Sequence, residues 1–123
     1  MEFIDKDDVT ALANPGVTSR QLLWPGNSSS TRVTITEVHL DPGASQPRHT
    51  HRSSEQIWYA LHGSGTLLLA EESELAFEAG DIVRFADGDV HGLLNSGSEE
   101  FVYLSVTAPP MDFGYAYRTR SNG

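Results

Sequence analysis

The sequence predicts an all-β domain, a sandwich or a barrel, and three observations predict it. Seven or eight short segments rich in Val, Ile, Leu, Thr and aromatic residues follow one another along the chain. Turn signals separate them: Pro25-Gly26, Pro42-Gly43, Gly63-Ser64-Gly65, Gly80-Asp81, Gly88-Asp89 and Ser96-Gly97. A helix signal is nearly absent, confined to DKDDVTALA at 5–13, which reads as a short turn with Asp5 or Asp7 as cap and Pro15 as stop.

The strand segments follow in order. SRQLLW at 19–24 ends at Pro25-Gly26, and PGNSSST at 25–31 is a polar surface loop, because too little chain precedes it to make a domain. TRVTITEVHL at 31–40 ends at Pro42-Gly43. EQIWYAL at 55–61 and GTLLLA at 65–70 flank the Gly63-Ser64-Gly65 turn. ELAFE at 74–78 and DIVRFA at 81–86 flank Gly80, and HGLLN at 91–95 and EFVYLSVT at 100–107 flank Ser96-Gly97. Beyond Pro109-Pro110 the tail carries Phe113, Tyr115 and Tyr117, expected to cover a barrel edge or a partner subunit.

At 123 residues the chain makes one domain, with room for a single core. The barrel is expected over about 18–108, with a lead-in at 1–17 and the aromatic tail at 109–123. Seventeen acidic against eight basic residues give a net charge of −9, with no cluster of Lys or Arg. A nucleic-acid backbone or an acidic membrane surface would be repelled, so neither is an expected partner. No window approaches the ~18 apolar residues of a membrane span, and MEFIDKDDV lacks the basic start and apolar run of a signal peptide. A cytoplasmic protein is the expectation. There is no cysteine, which excludes disulfides and thiolate metal sites and leaves histidine and carboxylates as the strong ligands.

Histidine is where the chemistry concentrates. His49 and His51 stand two apart, and on a strand residues i and i+2 share a face, so both imidazoles can reach one ion. The Pro42-Gly43 turn feeds that segment, and His91 follows the turn at Gly88. Turn, ligands, hairpin, turn and ligand can bring three imidazoles together inside a β-barrel.

Two stretches carry a family resemblance. GASQPRHTHRSSEQIWYALHG, Gly43 to Gly63, resembles the first cupin motif: Gly, five residues, His-x-His, three or four residues, Glu, six residues, Gly. GDIVRFADGDVHGLLN, Gly80 to Asn95, resembles the second: Gly, five residues, Pro-x-Gly, two residues, His, three residues, Asn. The resemblance runs over about 18–108 and implies a double-stranded β-helix, the jelly-roll barrel of single-domain cupins. It also implies one divalent transition metal (Zn, Ni, Fe, Co, Mn or Cu), a small-molecule ligand and a homodimer. Ala86 stands where the second motif usually has proline, which should only loosen a turn.

The other departure is at the ligand carboxylate. Glu55 keeps an allowed spacing from His51 but leaves seven residues before Gly63, whereas Gln56 leaves the usual six. Alternation makes the choice binary: Glu55, Ile57, Tyr59 and Leu61 share one face of the strand, Gln56, Trp58, Ala60 and His62 the other. The Gly63 turn fixes the register, so Gln56 is the expected fourth ligand, with Glu55 as the alternative.

A set of three imidazoles and one carboxamide leaves a divalent ion its full +2 charge. Weaker binding than with Glu, stronger Lewis acidity and a less accessible higher oxidation state follow. The first functional expectation is therefore a metal-dependent enzyme acting on a small oxygen-rich molecule by isomerisation, elimination or cyclisation, similar to sugar-acid-processing and polyketide-cyclising cupins. A quercetinase-type O₂-dependent dioxygenase is the second, and a non-catalytic ligand-binding or sensor cupin the third. Trp58, Phe85 and Tyr103 are candidate pocket residues, and the Tyr103 hydroxyl is the candidate acid or base. His39 and His62 are expected to face solvent, Arg84 is an exposed strand arginine or a carboxylate anchor, and Asn95 is a turn stabiliser.

Overall fold

Side-chain alternation decides what fills the interior, and the strand register decides which residues meet there. The computed structural model describes residues 1–110 and the backbone of 119–121. Its strands are β1 (Thr10–Asn14), β2 (Val17–Leu23), β3 (Thr34–Leu40), β4 (Ser45–His49), β5 (Glu55–His62), β6 (Ser64–Leu69), β7 (Glu74–Glu78), β8 (Ile82–Phe85), β9 (His91–Leu94), β10 (Phe101–Ala108) and β11 (Thr119–Ser121). They form two antiparallel sheets, one ordered β11-β1-β2-β3-β10-β5-β8 and the other β4-β9-β6-β7. The expected jelly-roll barrel is the fold observed.

Inward-facing residues of the larger sheet form cross-strand rows. Val17, Leu40 and Phe101 make one row, and Ser19, Val38, Tyr103 and Ala60 the next. Gln21, Thr36, Ser105 and Trp58 follow, then Thr34, Thr107, Gln56 and Phe85. All of these are buried. The interior thus grades from apolar at one end to hydroxyl- and amide-lined at the other. Leu67, Phe77 and Leu93 of the smaller sheet pack on the apolar end, where Phe77 and Phe101 lie 5.8 Å apart. Burial of these side chains is the main stabilising term, on the order of 1.5–3 kcal/mol for each large one.

Two segments differ from the sequence reading. Within 5–13 only Lys6–Asp8 is helical, a 3-10 turn capped by Asp5, whose carboxylate accepts from the Asp7 amide at 2.9 Å. From Thr10 the chain is strand β1, because pairing with β2 gives its amides sheet partners and its apolar Leu12 a place in the interior. His49 ends β4, and His51 lies in the following loop, so the two imidazoles do not share a strand face as expected. Phe113, Tyr115 and Tyr117 lie outside the described residues. No helix among the described residues is long and apolar enough to cross a membrane.

Candidate metal centre

Three different devices bring the histidines together. The first is a bulge in β4. Gln46 pairs with Leu93 and His49 with His91, so β4 spends three residues where β9 spends two. The extra backbone lies directly on Gly92, where a Cβ would stand 2.7 Å from the Gln46 carbonyl and 3.0 Å from the Arg48 amide. Only glycine leaves room for the bulge that sets His49 opposite His91.

The second device is the turn at Ala86–Asp89. The Gly88 amide donates to the His51 carbonyl at 2.7 Å, which anchors the loop carrying that ligand candidate. Gly88 has φ +84°, a left-handed conformation that costs other residues about 1–2 kcal/mol. Ala86, in the place where the motif usually has proline, uses its amide to donate to the Asp89 carboxylate at 2.9 Å. Proline has no such hydrogen, so a side-chain bond tightens this turn where a ring would otherwise do so.

The third device fixes tautomers. Nδ1 of His49 donates to the Pro47 carbonyl at 2.8 Å, and Nδ1 of His91 to the Asp89 carbonyl at 2.9 Å. A carbonyl only accepts, so Nδ1 holds the proton and Nε2 carries the lone pair in each neutral ring. The ring centroids of the three histidines are 4.3–5.1 Å apart, and one nitrogen from each lies within 4.8 Å of the others. Nε2 of His91 is buried without a hydrogen-bond partner among the described residues. Burial, with smaller contributions from His49 and His51, pushes the His91 imidazole down to about 4 against the hydrogen bond to Asp89. Burial and then the charge of His49 lower His51 in the same direction. Three clustered imidazoles, two of them pushed toward the neutral form by burial, with an orphaned buried nitrogen fit a divalent transition metal.

Gln56 faces inward on β5 and lines a cavity together with His49, and Glu55 faces outward, where it accepts from Arg84 Nε at 2.7 Å. The Gln56 carboxamide is held at both ends: Oε1 accepts from Trp58 Nε1 at 3.0 Å, and Nε2 donates to Thr107 Oγ1 at 3.1 Å. Among the described residues, one lone pair of Oε1 and one hydrogen of Nε2 remain.

A cavity of about 380 Å³ opens beside His49, of the size that takes a small ligand. Gln56, Trp58 and Tyr103 line it. The Tyr103 hydroxyl donates to Gln46 Oε1 at 2.5 Å, and its ring tilts on Trp58 at 4.6 Å. Phe85 stands behind the cluster and outside the cavity lining, stacked on His91 with centroids 4.6 Å apart and planes 17° apart. Asn95 ties the β9–β10 turn, donating to the carbonyls of Leu40 and Glu99 and accepting from Gly97. His39 lies on the outer face between Glu37 and Glu100, and His62 is exposed beside Glu99. Sequence reasoning missed Ser19, Gln21, Thr36, Gln46 and Ser105 as cavity residues. The available signal was their parity: in VTSRQLL, Val17, Ser19 and Gln21 share the inward face.

Comparison with known proteins agrees with this fold. The chain is 28% identical over 72 residues to the oxalate-binding protein of Thermotoga maritima, covering 58% of this chain and 59% of that one. Its fold is similar to the polyketide cyclase RemF of Streptomyces resistomycificus, with TM-score 0.77, 23% identity, and coverage of 99% and 84% of the two chains. It is also similar to a sugar phosphate isomerase of Silicibacter pomeroyi, with TM-score 0.73, 20% identity, and coverage of 86% and 74%. The cupin domain family itself matches residues 36–107, from β3 into β10 and through both histidine turns, and the chain therefore belongs to the cupin family.

Proposed function

We propose that the protein is a metal-dependent enzyme performing a redox-neutral step, isomerisation, elimination or cyclisation, on a small oxygen-rich molecule. His49, His51, His91 and Gln56 would hold the ion. The observation that carries this reading is the tautomer lock, which commits Nδ1 of His49 and His91 to carbonyls and reserves Nε2 for a ligand-accepting partner. A divalent ion bound there supplies a Lewis acid that polarises a carbonyl or acidifies a hydroxyl. Trp58 and Thr107 keep the neutral carboxamide of Gln56 oriented, so the ion would retain its full charge. Tyr103 Oη holds a proton at the cavity wall, donated to Gln46 at rest, and is the group placed to exchange it with a ligand. The polyketide cyclase and the sugar phosphate isomerase of the same fold are named for chemistry of this redox-neutral kind.

One observation favours a second reading, a cupin that binds its ligand without turnover. Among the described residues lining the cavity, His49 and Tyr103 are the groups able to exchange a proton, and the Tyr103 proton is already engaged. The oxalate-binding protein is named for binding alone. A homodimer belongs to the same proposal, supported by Ile57, Tyr59, Leu61 and Ile82, exposed on the outer faces of β5 and the edge strand β8. A cytoplasmic location also belongs to it, supported by the acidic, cysteine-free composition.

Metal analysis of protein purified without added metal tests the leading reading. One equivalent of zinc or nickel, and no O₂ consumption with catechol-like compounds, is the expected result. Iron or copper with O₂ uptake would replace it by the dioxygenase. Protein that takes up no metal after reconstitution would overturn both.

A further inference from the structure

The cavity has a wall that metal binding does not account for. Gln21, Thr36 and Ser105 stand side by side on β2, β3 and β10, all inward and all lining the cavity, with Trp58 next in the row. A small barrel ordinarily fills such positions with apolar side chains. Burying a hydroxyl or amide without a partner costs about 1–3 kcal/mol, so an unpartnered one needs an explanation. Gln21 is such a group: it is 3% exposed, and its Nε2 has no hydrogen-bond partner among the described residues. It lies on β2, outside both histidine motifs, so neither fold nor metal requires an amide there.

The chemistry of the wall limits what can satisfy it. Apart from His49, the described lining residues carry no ionisable side chain other than the phenol of Tyr103; the rest are hydroxyls, amides and apolar groups. An anionic group placed against amides and hydroxyls, away from the imidazole cluster, would be desolvated without a countercharge, at far greater cost than a hydroxyl or carbonyl.

We infer that the cavity takes an uncharged hydroxy- or keto-compound rather than a phosphate or a polycarboxylate, and that Gln21 is a specificity residue that donates to an oxygen of that ligand. This rests on the reading of the cavity as the ligand site. Thr36 and Ser105 supply further hydroxyl partners along the row, and Trp58 supplies an apolar face.

The test uses two probes that share an ortho-hydroxyketone and differ at one ring position: 2′,5′-dihydroxyacetophenone and 3-acetyl-4-hydroxybenzoate. Binding is measured by calorimetry on the zinc-loaded protein and on the protein as purified, for wild type, Gln21→Leu and Gln21→Arg. The wild type should favour the uncharged probe by roughly tenfold or more, Gln21→Leu should lose roughly tenfold for that probe alone, and Gln21→Arg should turn the preference toward the carboxylate. Equal or tighter wild-type binding of the carboxylate, an unchanged Gln21→Leu, or no binding of either probe would overturn the inference. Zinc titration of the same three proteins separates the two readings. Selectivity without zinc binding would remove the metal and leave Gln21 in its role, and zinc binding without selectivity would do the reverse.

Discussion

The indole Nε1–H of Trp58 donates to Oε1 of Gln56 at 3.0 Å. Indole nitrogen can only donate, so the bond identifies the oxygen of the carboxamide and leaves the amide nitrogen to donate to Thr107. Trp58 is thereby a positioning residue for the proposed neutral ligand. Trp58→Phe keeps an aromatic ring against Phe85 and Tyr103 and removes the donor. Stability should fall by about 1–3 kcal/mol in denaturant titration. Zinc affinity should fall several-fold as the carboxamide loses its fixed orientation. Unchanged zinc affinity would separate Trp58 from the site.

Gly92 is the second lever, because the β4 bulge rests on it. Gly92→Ala puts a methyl group 2.7 Å from the Gln46 carbonyl, and backbone, unlike a flexible side-chain tip, has little freedom to yield. The bulge must move, and His49 with it. Zinc binding should fall by at least tenfold while the apolar end of the barrel, built on Leu40, Phe101 and Leu93, keeps the far-ultraviolet spectrum of the wild type. Normal zinc affinity in a folded Gly92→Ala protein would show that the bulge does not set the His49 position.

Most of the fold was legible because turn glycines and β-rich segments repeat along the chain, and the motif spacing placed His49, His51 and His91 in one centre. What the spacing could not convey was how the centre is held. His51 reads as a strand neighbour of His49, yet it is fixed by the Gly88 amide, a contact between residues far apart in sequence. DKDDVTALA reads as helical on its acidic start, yet tertiary pairing with β2 makes a strand of Thr10–Asn14. Parity in VTSRQLL turns Gln21 inward, but its place beside Thr36 and Ser105 depends on register across β2, β3 and β10, which the local pattern does not encode.

On the outer face, burial alone would lower His39, but its hydrogen bonds to Glu37 and Glu100 outweigh this and raise it above its ordinary 6.5. The hydrogen bond from His39, then Arg20, holds Glu37 below its ordinary 4.5 against the opposing effect of burial. The His39 contribution to stability is therefore complete below pH 6.5 and lost as pH rises through its raised value. The Glu37 contribution is complete above pH 4.5 and lost as pH falls through its lowered value. His39→Gln should destabilise the protein most between about pH 4.5 and 6.5, and least at pH 9. Melting curves across that range check the sign, and a difference that grows toward alkaline pH would contradict it.

The exposed apolar face of β5 and β8 gives a prediction for the homodimer. Ile82 is 69% exposed, so Ile82→Lys should leave the fold intact and shift the protein to monomer in sedimentation velocity. A dimer of unchanged strength would place the interface elsewhere.

Zinc binding by calorimetry across wild type, Glu55→Ala, Gln56→Ala and Gln56→Glu tests the central claim most directly. Glu55 meets Arg84 on the outer face, an exposed pair of small energetic weight, so Glu55→Ala should bind zinc as the wild type does. Gln56→Ala should lose at least tenfold, and Gln56→Glu, which adds a charge to the same position, should gain at least tenfold. Loss of zinc on Glu55→Ala with none on Gln56→Ala would contradict the account, because the ligand would then come from the face of β5 that points away from the three histidines.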